Sequence, residues 1–329
     1  MKITGIVVTG VGGGVGQSIL KCLQRSPYRI IGVDSLVNGT GLYSVERGYI
    51  GEFAYSANFI DRLLEICKKE SANVIFPGLD VELIPLSKNR DIFKKNGIEV
   101  IVSSEEVISI ADDKYKTAQF LKGNNYLHPR TEKEIKDNFK FPMIVKPRYG
   151  GARSIGCVIC NSYEDLFNAV KNKNNYIIQE YIDSDEYTCG TVVFNNKCYG
   201  CIPAERELRC GDTYKLCFKK NNKIITYLED VIERLKPYGA CNIQLRFKNS
   251  KCYIFEFNAR CSGTTAARAI AGFNEPLWIC QALEKSIYTE LDFREIVIFR
   301  YWKELPVEIT KLNEMRRNGC VIGKKETFL

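Results

Sequence analysis

An apolar run at residues 3–9 leads into the turn Gly10-Val-Gly-Gly-Gly-Val-Gly16, a helical stretch at 17–25 and a second strand, Arg29-Ile-Ile-Gly-Val-Asp34. No other feature restricts the fold so tightly. Two strands bridged by a helix cannot pair as a hairpin, so they lie parallel with a right-handed crossover. Parallel strands are covered on both faces, which accounts for a run that is apolar almost throughout. The alternation continues through a helix at 59–70, a strand at 73–76, a turn at 77–82, a helix at 83–96 and a strand at 99–102. Residues 1–110 are therefore expected to form one α/β unit.

The glycine turn places its amides at the start of a helix, which favours an anion. It departs from the dinucleotide-binding fingerprint, because the position counted sixth from Gly10 is Val15 where glycine or alanine is expected. Asp34 ends its strand at the carboxyl edge of the sheet, where it could take a ribose hydroxyl or be an ordinary strand-end acid. Asp80 and Glu82 lie just past another strand end, open to ligand contact or to capping of the next helix.

The chain has 329 residues, enough for two or three packed units. With 45% hydrophobic and 26% charged residues it has the composition of a soluble globular protein, and no apolar run approaches the ~20 residues of a membrane helix. Its first residues read as a strand and not a secretory leader, so a cytoplasmic protein without a membrane partner is expected. Its 14 cysteines are scattered and expected to be reduced thiols. The pairs Cys157/Cys160 and Cys198/Cys201 have zinc-like spacing, but residues three apart on a strand point to opposite faces. The single His128, followed by Pro129, leaves little room for histidine chemistry. The formal charge of +8 is spread along the chain without interleaved aromatics, which points to anionic small molecules and not to nucleic acid.

From residue 111 the pattern changes. Residues 111–121 read as one short helix, and 128–131 as a connection. A strand ending in lysine, Pro142-Met-Ile-Val-Lys-Pro147, enters the loop Arg148-Tyr-Gly-Gly-Ala-Arg-Ser-Ile-Gly156 and returns at 157–160. Such a loop could cover a triphosphate, its glycines admitting backbone amides to the anion, or it could be a plain surface hairpin. After a helix at 162–170, the strand 176–182 runs into the acidic stretch 183–188. That hinge could offer backbone groups to an adenine edge and Glu186 to a ribose. The polar segment 204–214 reads as a loop between strands, in which Arg206 and Arg209 could hold an anion or face solvent.

Residues 239–247 and 251–260 read as two hairpin-related strands. Side chains alternate along a strand, so Glu256 and Asn258 share a face, with Gln244 alongside. All three offer oxygen ligands but only one full negative charge, which suits a hard cation already neutralised by phosphates. The same residues could equally be the wet face of an ordinary hairpin. The tail 291–329 alternates apolar and charged residues around 296–302 and is expected to supply a closing strand or hairpin.

Taken in order, Asp113-Lys114, Ile144-Val-Lys-Pro147, the loop 150–156, Gln179-Glu-Tyr-Ile182 with Glu186, Asn242-Ile-Gln244 and Phe255-Glu-Phe-Asn-Ala-Arg260 resemble the ATP-grasp superfamily. The resemblance is to the half-domains of carbamoyl-phosphate synthase large subunits and to stand-alone ligases similar to them. It implies an α/β protein with an ATP-grasp fold preceded by a Rossmann-like pre-ATP-grasp domain. Residues 1–110 would be that first domain, 111–185 a small lid subdomain, and 186–329 a large subdomain with the metal site and the closing strand. It implies ATP with Mg2+, or Mn2+, as cofactors. Lys114 and Lys146 would contact the phosphates while Gly150, Gly151 and Ser154 close over them. Glu180, Tyr181 and Ile182 would line the adenine hinge, and Glu186 would take the ribose. Gln244, Glu256 and Asn258 would hold the metal. Arg260, Lys146 and Arg153 would form the catalytic set, with Arg260 beside the transferred phosphoryl group.

The activity implied is ligation of a carboxylate to an amine through an acyl phosphate, releasing ADP and phosphate, by a chain that could be a homodimer. Only one copy of the unit is present, with no internal repeat and no glutaminase signature. A carbamoyl-phosphate-synthase-like unit acting on bicarbonate or carbamate with a partner is therefore the second reading. A non-catalytic nucleotide-binding protein is the third, and an NAD-dependent enzyme using the first glycine turn the fourth. Acceptor specificity has no recognisable code, so neither acid nor amine follows from the sequence.

Overall fold

The computed structural model describes residues 1–150, 154–285 and 288–324. The first sheet has six strands, in the order Cys320–Ile322, Arg47–Ile50, Ile30–Asp34, Ile6–Val8, Val74–Phe76, Glu99–Val100. All run parallel except Cys320–Ile322. Ile6–Val8 is central and buried on both faces, as a parallel sheet requires: Ile6 and Val8 join one hydrophobic cluster and Val7 another. Two strands carry no clear sequence signal. Arg47–Ile50 is short, and Cys320–Ile322 returns from the far end of the chain to pair antiparallel with it. The helix after the glycine turn begins earlier than expected, at Gly14, and ends at Leu23. Gly16 admits the turn, since a Cβ there would stand 2.4 Å from the Gly10 carbonyl oxygen.

Two expected helices are each divided in two. Residues 83–96 form Asp80–Lys88 and Arg90–Lys95, parted at Asn89 (φ −106°, ψ 13°), whose side-chain amide donates to the Pro85 carbonyl at 2.8 Å. Asparagine competes in this way for helix backbone groups. The first piece starts at Asp80 because the Glu82 carboxylate accepts from the amides of Gly78 and Leu79, each at 3.2 Å. Residues 111–121 are likewise interrupted. Glu105–Asp112 ends at Asp113, which is extended (φ −100°, ψ 103°) and caps Lys114–Gly123 by accepting from the amides of Tyr115 and Lys116.

The second sheet is antiparallel, in the order Lys251–Asn258, Gly239–Lys248, Asp185–Phe194, Lys197–Arg209, Asp212–Phe218, Ile296–Phe299. The tail thus supplies a closing strand here as well as an edge strand to the first sheet. Asn195-Asn196, Cys210-Gly211 and Asn249-Ser250 have positive φ at both positions and form two-residue turns whose twist matches their strands. Residues 204–214 are therefore not an open loop. Strand Lys197–Arg209 runs through most of them, and the reversal is confined to Cys210-Gly211.

A register shift between Thr191 and Val193 brings Cys198 and Cys201 to the same side, under the helix Asn222–Leu235, against the expectation that they oppose one another. Both thiols are buried in apolar surroundings, which pushes Cys198 up to about 12 and raises Cys201 well above the usual thiol range.

The third sheet is a small antiparallel one, in the order Thr131–Glu132, Tyr176–Glu180, Met143–Pro147, Val158–Cys160, backed by the helix Tyr163–Val170. It keeps a core of its own around Met143, Val145, Leu166 and Ile178. The first and second sheets, by contrast, share one cluster in which Ile6 and Val8 join Phe218, Phe273 and Trp278. Polar ties reinforce that joint: Ser18 Oγ donates to the Gly263 carbonyl and the Tyr28 hydroxyl to Glu284, both at 2.9 Å.

Candidate active site

A cavity of about 710 Å³ lies where the second and third sheets meet the glycine turn and residues 78–80 at the strand ends of the first, large enough for a nucleotide and a second small molecule. Its floor is the hairpin Gly239–Lys248 and Lys251–Asn258. Cross-strand register sets Gln244 opposite Glu256 and Asn242 opposite Asn258, so the three expected metal ligands are neighbours lining one cavity. Asn258 Nδ2 donates to Glu256 Oε1 at 3.1 Å, which leaves the Asn258 oxygen turned the other way, to accept from Arg260 Nη2 at 3.1 Å.

Lys146 comes down from the end of the lid strand Met143–Pro147. Its Nζ donates to Gln179 Oε1 at 2.9 Å and lies 4.5 Å from the centre of the Phe255 ring. Burial lowers its pKa, while the charge of Glu256 pushes back and favours the ammonium. Lys114, itself buried, donates from Nζ to the Gly150 carbonyl at 2.6 Å. Beside it the Arg148 guanidinium grips the Asp113 carboxylate through Nε at 2.8 Å and Nη2 at 2.6 Å. This joint ties the lid to the helix start. Ser154 lines the cavity with φ +57°, whereas Gly151 and Arg153 lie outside the described residues.

Glu180, Tyr181 and Ile182 line the cavity along the edge of the strand Tyr176–Glu180, and the amides of the first two donate to the carbonyls of Arg130 and Pro142 at 2.8 and 3.2 Å. Glu186 also lines it, clamped between two arginines. Arg206 Nε donates to Glu186 Oε1 at 2.8 Å, and Arg246 Nη2 meets Oε2 at 2.6 Å. Burial alone would raise the Glu186 pKa; the two guanidiniums outweigh it and hold the carboxyl below the usual range. Arg206 Nη2 continues to Gln244 Oε1 at 2.8 Å, so a cation already touches the row of expected metal ligands.

Arg260 closes the row. Its Nε and Nη2 fork onto the Asp80 carboxylate, at the start of the helix Asp80–Lys88, at 2.8 and 2.7 Å, and Nη1 donates to the Cys261 carbonyl at 2.8 Å. Glu82, buried just behind, accepts from the Thr9 hydroxyl at 2.6 Å, and burial pushes its carboxyl up to about 7. Asp34 stands with the glycine turn: its Oδ2 accepts from the Gly12 amide at 2.7 Å, so the carboxylate that a dinucleotide ribose would need is engaged by the turn itself.

These lysines, the expected hinge and the expected metal ligands fall within residues 111–264, the stretch that matches the family model described as the ATP-grasp domain. The chain carries an ATP-grasp domain. Residues 6–101, holding the first sheet's parallel strands, match the PylC-like, N-terminal domain.

Among curated relatives, the carbamoyl phosphate synthase large chain of Thermoanaerobacter sp. is 29% identical over 197 residues, which cover 52% of this chain and 18% of that one. The D-alanine–D-alanine ligase of Fusobacterium nucleatum is 33% identical over 189 residues, 57% of this chain and 56% of that one. The chain thus spans about a fifth of the synthase and just over half of the ligase. Among solved structures, N5-carboxyaminoimidazole synthetase of Staphylococcus aureus with ADP covers 91% of this chain and 81% of its own at TM-score 0.69 and 16% identity. L-amino acid ligase of Bacillus licheniformis covers 86% and 75% at TM-score 0.68 and 14% identity. Both share the fold of the ATP-grasp domain and the unit before it.

Several residues that build the site in the ATP-grasp domain were not legible in the sequence. Arg246 sits on a strand with nothing local to mark it, and the contact of Gln179 with Lys146 and the pairing of Glu186 with Arg206 arise only where their strands lie side by side. Beneath the floor, Arg268 is sealed from solvent with Glu275, Nε to Oε1 at 2.6 Å, and also donates to Asn242, Thr264 and Thr265. Gly190 makes room for it, since a Cβ there would stand 2.2 Å from Arg268 Nε.

Proposed function

We propose that the protein is an ATP-dependent ligase that joins a carboxylate to an amine through an acyl phosphate, releasing ADP and phosphate. One observation carries this reading: Gln244, Glu256, Asn258, Lys146 and Arg260 converge on a single cavity. The donor set fits a divalent cation that arrives with phosphates. It has two amide oxygens and one carboxylate, and among the described residues no group of three or more His, Cys, Asp and Glu could hold a cation unaided. Gln244, Glu256 and Asn258 would hold Mg2+ or Mn2+. Bound with ATP, that cation supplies charge neutralisation for phosphoryl transfer.

The chain's own residues do the rest by position and charge. Lys146 and Lys114 place ammonium groups where phosphate oxygens gather, and the lid strands shield them from water. Arg260 brings a donor to the transferring group. A carboxylate is already a nucleophile and needs no base to attack a phosphoryl group, which agrees with a cavity not lined by His128. The likeness to ligases of amino acids makes amino acids the first substrates to test. We propose further that the protein works in the cytoplasm as a homodimer. Among the described residues no helix is long and apolar enough to cross a membrane.

The deciding experiment is ADP release from purified protein with ATP and Mg2+ across pools of carboxylates and amines, amino acids first. Turnover that requires both an acid and an amine is the expected result. Turnover with bicarbonate and ammonia or glutamine would move the chain to the carbamoyl-phosphate-synthase-like reading. Tighter binding of NADH than of ATP would overturn both.

A further inference from the structure

Arg260 lies two residues past the strand Lys251–Asn258 of the second sheet, and Asp80 opens the helix that follows Val74–Phe76 of the first, 180 residues away in sequence. The Arg260 side chain is only 11% exposed whereas that of Asp80 is 53% exposed. A pair with one partner so open to water adds little to stability. What a two-pronged carboxylate does supply is orientation, because it fixes the plane of the guanidinium.

We propose that Asp80 is a positioning residue, through which the amino-terminal unit sets Arg260 for phosphoryl transfer. The inference rests on the ligase reading above and assigns that site a residue from outside the ATP-grasp domain.

The donor inventory supports it. Nε and one Nη2 hydrogen go to Asp80, the other Nη2 hydrogen goes to Asn258, and one Nη1 hydrogen goes to the Cys261 carbonyl. A single Nη1 hydrogen is left to meet an incoming phosphoryl oxygen. Remove Asp80 and the guanidinium has two donors to re-place, with the Glu256 charge close enough to attract it. Arg260, which already donates to Asn258, would then turn toward Glu256 as well and compete with a cation for its oxygens. Asp80 is itself held firmly. It opens the helix Asp80–Lys88, and the turn before it is pinned by Glu82, which collects the amides of Gly78 and Leu79 and the hydroxyl of Thr9.

The test compares Asp80→Ala, Asp80→Asn and Asp80→Glu in the full chain. The expected loss of kcat for ADP release is about 100-fold in Asp80→Ala and about 10-fold in Asp80→Asn, with KM for ATP changed by less than about two-fold. Asp80→Glu, which restores the carboxylate on a longer arm, should recover part of the loss. A second readout needs no turnover: the Mg2+ concentration that half-saturates binding of adenylyl imidodiphosphate should rise about five-fold in Asp80→Ala, because Arg260 then competes with the cation. Wild-type kcat and wild-type Mg2+ dependence in Asp80→Ala would overturn the proposal. So would losses of activity that only follow losses of thermal stability across the three variants. If the wild type releases no ADP with any pool, the ligase reading falls, and the Mg2+ titration still decides for or against Asp80.

Discussion

The floor of the cavity comes from the hairpin at one edge of a six-stranded sheet, whereas its lid comes from a four-stranded sheet with a separate core. Floor side chains are fixed from below: Arg268 and Glu275, 1% and 0% exposed, hold Asn242 and Thr264 in place. The lid is fastened at its rim by Arg148 on Asp113 and Lys114 on Gly150, and its residues Ile155, Val158 and Ile159 are exposed. The difference separates two tasks. The floor is preorganised, so damage to it should cost the chemical step or the fold. The lid is jointed, so damage to it should cost nucleotide capture.

The sharpest break of this comparison is Glu256→Gln, which removes the only full charge of the metal row without changing its shape. ATP turnover should fall by about a thousand-fold or more while the thermal transition stays in place. Unaltered turnover would remove Glu256 from the site. Next comes Arg268→Ala, which strands Glu275 as an uncompensated buried acid. Urea unfolding should show a loss of about 3–5 kcal/mol, and a loss under about 1 kcal/mol would mean that the floor is not braced there.

The seam between floor and first sheet is tested by Glu82, whose carboxyl is raised from 4.5 to about 7. Between those values the unfolded chain gives up its proton while the folded chain retains it. The contribution of Glu82 to stability should therefore be greatest below about 4.5 and be lost, about 3 kcal/mol in all, as pH rises through about 7. In Glu82→Gln that decline should vanish from a series of urea titrations; the same slope in both proteins would exclude Glu82 as its source. The smallest effect is expected at the lid. Asp113→Ala releases Arg148, and KM for ATP should rise about 10-fold with kcat nearly unchanged. A fall in kcat at constant KM would show that the lid acts on the chemistry after all.

Legibility in the sequence followed the range of the forces involved. Period-two alternation announced the shared face of Glu256 and Asn258 with Gln244 opposite, whereas the bulge that skips Phe255 just before them carries no such signal. The helix at Asn222–Leu235 is legible from Ile224, Leu228, Val231, Ile232 and Leu235 at helical spacing, whereas the strand Arg47–Ile50 is too short for periodicity. The divided helices show a different limit. Asp113 and Asn89 are unremarkable inside a helical pattern, yet each turns the chain where its side chain finds backbone partners.

By itself the sequence determined the glycine turn and its parallel sheet, the order of lysines, hinge and oxygen ligands, and the shared face of Glu256 and Asn258. These depend on neighbours within a few residues, whose spacing is fixed by backbone geometry. Tertiary structure alone decided that Asp80 grips Arg260, that Arg206 and Arg246 clamp Glu186, that Arg268 is sealed beneath the floor and that Cys320–Ile322 closes the first sheet. Each joins residues far apart in the chain, and a charge carries no mark of its partner until packing brings the two within hydrogen-bonding reach.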